Sequence, residues 1–308
     1  MLIWCRRIII NKPQLLKENG PLLLACNHPN SFLDSVILDT IFQQPVWNLA
    51  RGDAFKNKKI SRILAALKIL PVYRSSEGPE NVSENYKTFD ACISIFRKNG
   101  IVAIFSEGKC TNEWHLRPLK KGTARLAIKA WEDNIPLKIL PVGINYSSFT
   151  RFGKNLFLNF GEIITENDVD LKMAEGLRHQ AFNDQLRIRL EQLVFEIPKT
   201  DRQAQAEKLK IKSSLLKKIL LAIPAAIGWL IHVPLYLPIK HFVWKRTHKN
   251  DHYDSVMITI LLFAYPIYLL IIISMLLIIL KCWWMIFLLL LAPFTAWAYI
   301  QLKPQLDK

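Results

Sequence analysis

Leu22-Leu23-Leu24-Ala25-Cys26-Asn27-His28-Pro29-Asn30-Ser31-Phe32-Leu33-Asp34 carries more structural information than any other segment of the chain. Its first five residues form an unbroken apolar run, the pattern of a strand buried on both faces. A histidine follows almost at once, and a carboxylate stands six residues beyond it. On one continuous helix that offset rotates by about 600°, leaving the two side chains roughly 120° apart, where they do not meet. Pro29 instead favours a non-helical His28, and Asn30 or Ser31 can cap a helix that starts after it. Asp34 then falls in the first helical turn, and the loop can fold His28 back onto it. A carboxylate on one ring nitrogen fixes the tautomer and leaves the other nitrogen as a general base. The plainer reading of the same residues is a capping turn in which Asp34 complements the helix dipole.

Further short apolar runs read as buried strands: Val46–Ala50, Leu70–Tyr73, Ile101–Phe105, Ile139–Ile144 and Leu156–Phe160. Helical patterns lie between them. Ile60, Ile63, Leu64 and Leu67 recur at helical spacing, as do Phe89, Cys92, Ile93 and Phe96, with Ser83 as an N-cap and Asn99-Gly100 as a stop. Ala124 to Trp131 follows Gly122 as another helix, and residues 166–212 read as an exposed, charged helix and linker. Strands alternating with helices imply an α/β domain with a mixed or mostly parallel sheet flanked by helices. Ligands of such sheets gather where strands turn into helices. Three more of those turns carry polar groups: Ser106-Glu107-Gly108-Lys109 with Leu119-Lys120-Lys121-Gly122 after it, Leu140-Pro141-Val142-Gly143, and Pro71-Val72-Tyr73-Arg74.

The last third has a different composition. Residues 215–308 hold nine Lys/Arg and three Asp/Glu, against thirty-two and twenty-two in residues 1–214. Val256 to Leu280 is a 25-residue run without a charge, and Cys282 to Ile300 is a second of 19. A bilayer span needs about 20 apolar residues, so each run suffices. They predict a transmembrane hairpin over 255–280 and 282–300, turning at Lys281, with Trp283, Trp284, Trp297 and Tyr299 near its interfaces. The stretch 219–239 is interrupted by Pro224, Gly228, His232, Pro234 and Pro238 and is flanked by Lys217, Lys218, Lys240, Lys245, Arg246 and Lys249. Basic flanks at both ends argue for a re-entrant or interfacial segment that keeps them on one side. The expected organisation is an α/β domain over 1–212 and a membrane region over 213–308, hairpin-anchored or multi-pass, with the α/β domain on the cytoplasmic face. The N-terminal run is broken by Arg6 and Arg7 and lacks a cleavage site, so it reads as a surface-lying helix or strand rather than a signal peptide.

The whole chain has 308 residues and a formal charge of +16. A balance so basic expects a polyanionic neighbour. Its five cysteines are scattered, without a CxxC pair or a Cys/His cluster, which speaks against a disulfide framework and a structural zinc site.

The ordered set of turns resembles the glycerolipid acyltransferases, the family of glycerol-phosphate and lysophosphatidate acyltransferases. Asn27-His28 through Asp34 looks like the family's first block, Arg74 matches the arginine of the second, Phe105-Ser106-Glu107-Gly108 the third, and Leu140-Pro141-Val142 the proline block. The pair before Gly122, Lys120-Lys121, falls where many members carry a basic element. The likeness covers about residues 20–165. Five residues separate His28 from Asp34, where most members have four, and this is similar to the branch that includes fungal glycerol-3-phosphate and dihydroxyacetone-phosphate acyltransferases. Lys109 stands where a threonine is common.

The resemblance implies that His28, oriented by Asp34, deprotonates a hydroxyl of a glycerol-3-phosphate-type or lysophospholipid acceptor. The oxygen then attacks the thioester of acyl-CoA or acyl carrier protein, with no cofactor and no metal. It also implies substrate contacts at Asn27, Arg74, Glu107, Gly108 and Lys120: Arg74 and Lys120 for the acceptor phosphate, Glu107 for a glycerol hydroxyl, and backbone N–H groups near Asn27 or Gly108 for the oxyanion. An anionic membrane surface would then account for much of the positive charge without nucleic acid.

Rival chemistries fit less well. Ser106 lacks the glycine two residues before it that a nucleophile elbow needs. Four of the seven histidines lie in or beside the apolar third, and the others show no ligand spacing. No nucleic-acid motif accompanies the basic charge. A catalytically inactive, membrane-tethered binding or scaffold protein of the same fold is the remaining alternative.

Overall fold

The computed structural model describes residues 4–73 and 79–307. The chain divides into two compact units. One comprises Ile10–Asn145 and Leu158–Pro198; the other comprises Met1–Ile9, Tyr146–Phe157 and Lys199–Lys308.

Among the described residues, seven strands form one sheet: β1 (Cys5–Ile10), β2 (Leu22–Cys26), β3 (Val46–Arg51), β4 (Ile69–Val72), β5 (Ile101–Phe105), β6 (Lys138–Tyr146) and β7 (Lys154–Phe160), in the order β1-β7-β6-β2-β5-β3-β4. The pairs β2–β5, β2–β6, β3–β5 and β3–β4 are parallel. The short connection from β6 to β7 allows only an antiparallel return, since a parallel crossover needs about a dozen residues or more. The sheet is therefore mixed. β2 lies at its centre, and all five of its residues are buried, which is why its sequence shows no alternation.

The first unit carries helices α1 (Phe32–Ile41), α2 (Lys58–Ala66), α3 (Pro79–Arg97), α4 (Lys121–Glu132) and α5 (Glu175–Glu191). Its core joins Leu23 and Ala25 of β2, Val102 and Ile104 of β5 and Ile139 of β6 to Phe96, Leu126, Ala130, Phe182 and Leu186 from the helices. A Leu or Phe buried in this way contributes roughly 1.5–3 kcal/mol. Three expectations change here. α3 already includes Pro79, so Ser83 lies inside the helix and is not its cap. α5 is not simply exposed, because Phe182, Leu186 and Leu190 are buried in the core. The N-terminal stretch forms β1, and the Arg6 guanidinium is buried rather than turned to a headgroup: it donates to the carbonyls of Ile300 and Lys303.

The second unit contains α6 (Arg202–Leu209), α7 (Leu215–Thr247), α8 (Tyr253–Leu280) and α9 (Leu288–Leu302). Three stretches, Leu215–Thr247, Tyr253–Leu280 and Trp283–Leu302, are helices long and apolar enough to cross a membrane by length and composition. α8 ends at Lys281, which takes the left-handed conformation (φ 49°), so the chain turns where the sequence expects it. α7 runs without a break through Pro224, Pro234 and Pro238. The 219–239 segment thus contains no re-entrant turn. Gly228 is a point of close approach of α7 to α9: a Cβ there would sit 2.1 Å from the Thr295 carbonyl oxygen. His232 and Tyr265 meet at 3.1 Å across α7 and α8.

Candidate active site

The parallel register assembles the site. Cys26 pairs with Phe105, so the two strands end side by side and their next residues, Asn27-His28 and Ser106-Glu107, emerge together. The ladder continues one step further as Ser106 N–H donates to the Cys26 carbonyl. α1 then begins at Phe32, four residues after His28. Ser31 holds the N-cap position in a left-handed backbone conformation (φ 51°), uncommon for a residue with a side chain, and makes no side-chain cap bond. This bend returns His28 toward the first turn of α1.

His28 Nδ1 lies 2.9 Å from Asp34 Oδ2. Asp34 is fully buried, while the imidazole keeps 18% of its surface exposed. The same Asp34 oxygen accepts the Asn30 N–H at 2.8 Å, so the carboxylate fixes both the ring and the loop. Phe105 stacks on the imidazole, with centroids 4.0 Å apart and planes 16° from parallel. An acid on Nδ1 and an aromatic face leave Nε2 as the nitrogen available for proton transfer.

Glu107 joins two loops. Oε2 accepts the His28 backbone N–H at 2.8 Å and Oε1 accepts the Arg117 N–H at 2.9 Å. Its carboxylate therefore clamps two loops. Burial pushes this carboxyl above its ordinary range, opposed by the backbone bonds from Arg117 and His28. Asn27 is likewise committed: it donates to the Ile144 carbonyl at 3.0 Å and accepts the Ile144 N–H at 2.7 Å, extending the β2–β6 ladder with its side chain. The Gly108 N–H donates to Phe105 and so is not spare for an oxyanion.

Gly108 adopts φ +68°, which favours glycine, and a Cβ there would press on Lys120 Cγ at 3.0 Å. Lys120 holds the N-cap position of α4; its backbone N–H donates to the Ser106 carbonyl at 2.7 Å, and its side chain is exposed. Lys109 and Lys121 are exposed on the same strand-to-helix connection. Arg74 lies outside the described residues. The geometry thus brings together His28, Asp34, Glu107 and Asn27, and sets Gly108 against Lys120.

Sequence reasoning missed the strap formed by residues 110–117. Thr111 N–H donates to the His28 carbonyl (3.1 Å), Asn112 Nδ2 to the Pro29 carbonyl (2.7 Å), and Ser31 N–H to Cys110 Sγ (2.9 Å). Only the adjacency of β2 and β5 could have signalled it, because loop residues carry no periodicity.

Residues 7–145 match the Acyltransferase family model. That stretch, somewhat under half of the chain, is similar to acyltransferases. A 1-acyl-sn-glycerol-3-phosphate acyltransferase of Bacillus subtilis (strain 168) is 28% identical to it over 120 residues, covering 39% of this chain and 55% of that relative. The matched stretch is thus little more than half the length of the relative. The 1-acyl-sn-glycerophosphate (LPA) acyltransferase PlsC from Thermotoga maritima, a crystal structure, aligns with TM-score 0.45 and 14% identity over 63% of this chain and 73% of that one. His28, Asp34, Glu107, Gly108 and Lys120 all fall within the matched residues 7–145.

Proposed function

We propose that the protein is a membrane-bound O-acyltransferase that moves a fatty acyl group from a thioester, acyl-CoA or acyl carrier protein, to a hydroxyl of glycerol-3-phosphate or a lysophospholipid. The contact of His28 Nδ1 with the buried Asp34 carboxylate at 2.9 Å is the observation that carries this reading. Asp34 keeps the proton on Nδ1, so Nε2 accepts the proton of the acceptor hydroxyl. The oxygen attacks the thioester carbonyl as the O–H bond breaks. The tetrahedral intermediate then collapses, the C–S bond breaks, and the thiolate takes the proton held on Nε2. The products are an ester and a free thiol, and no acyl-enzyme forms. General-base assistance of this kind is worth about 10²–10⁴-fold.

An acceptor phosphate is supported by the exposed Lys120 and Lys121 at the start of α4. Helix N-termini attract anions through free N–H groups and the macrodipole. The activity named for the Bacillus subtilis relative makes 1-acylglycerol-3-phosphate the first acceptor to try. The three long apolar helices suit an enzyme whose acyl substrates live in a bilayer.

The test is a panel of acceptors at one acyl donor with the purified full chain in detergent. Glycerol-3-phosphate, dihydroxyacetone phosphate and lysophosphatidate are offered with acyl-CoA and then with acyl carrier protein, and products are identified by mass. An acyl ester of one acceptor is expected. A chain that binds these ligands yet consumes no thioester would favour the inactive scaffold instead.

A further inference from the structure

We propose that α2 is an interfacial helix that lays its apolar face on an anionic lipid bilayer. Successive helical residues turn by about 100°, so Ile60, Ile63, Leu64 and Leu67 fall within an arc of about 100°. Lys58 and Arg62 point to roughly the opposite side, with Lys59 between the two. Only part of the apolar arc is used by the domain. Leu64 is half-buried, whereas Ile60, Ile63 and Leu67 remain 47%, 60% and 58% exposed. No residue of α2 is fully buried. The helix is nonetheless well defined: the Asn57 side chain caps it, accepting the N–H groups of Lys59 and Ile60.

An apolar ridge left in water beside a row of cations is the pattern of helices that lie in a lipid interface. Charge selects the occupant. Lys56, Lys58, Lys59 and Arg62 are exposed within seven consecutive residues, and the only carboxylate close by in sequence, Asp53, pairs with Arg51 at 2.6 Å. A second copy of this chain would set like charges against each other, whereas anionic headgroups match them. The same chain carries three helices long and apolar enough to span a membrane, which supplies a bilayer for the ridge to meet.

The position of α2 adds consequence. It follows β3 through the short turn Gly52–Phe55, and the C-terminal end of β3 lies at the sheet edge where β2 and β5 deliver His28 and Glu107. The placement of α2 stands without the acyl-transfer reading. Resting on that reading, it sets the lipid surface on the side from which an acyl chain reaches the base.

Spin-label accessibility in the full chain tests this, reconstituted into vesicles of phosphatidylcholine and phosphatidylglycerol. Ile63→Cys and Leu67→Cys carry the nitroxide in a Cys282→Ser background, since Cys5, Cys26, Cys92 and Cys110 are buried. Arg62→Cys is the reference. The expected result is a ratio of oxygen to nickel-chelate collision rates several-fold higher at positions 63 and 67 than at 62. A ratio at 63 and 67 equal to that at 62 would place the ridge in water. Protection from both reagents would mean that protein covers it. Either result overturns the proposal, and because no turnover is read, neither bears on acyl transfer.

Discussion

Asp34 is the residue on which the proposed chemistry leans most, because a buried carboxylate with one oxygen shared between a ring N–H and the Asn30 N–H has little freedom. Asp34→Asn keeps the shape but presents an amide that can turn its NH₂ to Nδ1 and favour the wrong tautomer. The expected outcome is a fall in kcat of at least about 100-fold with KM little changed, read by thioester consumption. Glu107 acts through position. Glu107→Gln leaves one acceptor oxygen for two N–H groups, so one buried donor, on His28 or Arg117, goes unpaired at a cost of about 1–3 kcal/mol. A lower thermal midpoint in detergent and reduced turnover are expected together; unchanged stability would argue that the clamp is idle. Gly108→Ala meets both an unfavourable φ and the Lys120 stem, and is expected to destabilise by about 1 kcal/mol.

At the scale of elements, α7 and α9 approach through Gly228, where any side chain meets the Thr295 carbonyl. In a bilayer such close contact between small residues replaces the hydrophobic drive that water supplies elsewhere. Gly228→Val is expected to lower the thermal midpoint of the full chain in detergent, with Ala225→Val as a comparison at a neighbouring buried position on α7. Elements with strong patterns were legible in sequence: β2, β5 and β6 as unbroken apolar runs, and α8 as 25 uncharged residues. The position of Ser83 in α3 was not, because a serine that offers a good cap in sequence sits inside a helix that already includes Pro79. The burial of α5 was hidden by its charged flanks, which cover a narrow apolar stripe of Phe182, Leu186 and Leu190. The pairing of His28 with Asp34 could be read as an option, since the spacing and Pro29 permit a bend that folds one onto the other. The roles of Asn27 and Glu107 could not, because a polar side chain that completes a backbone ladder looks in sequence like one that waits for substrate.

For the molecule as a whole, two forces are available for membrane attachment, and they respond differently to salt. Attraction of a +16 chain to anionic headgroups fades as ionic strength rises, over a screening length of about 10 Å at 0.1 M. Burial of apolar helices does not. The chain is expected to stay in the membrane fraction after a high-salt wash and to leave it only with detergent; release by salt would mean that none of the three helices crosses. Acyl transfer itself is a property of the intact chain and is best challenged at one atom. Turnover of wild type and His28→Ala, matched in detergent for helical content by circular dichroism, compares the protein with and without its base. A loss of at least about 100-fold in the rate of ester formation is expected. Equal rates would show that the imidazole beside Asp34 takes no proton.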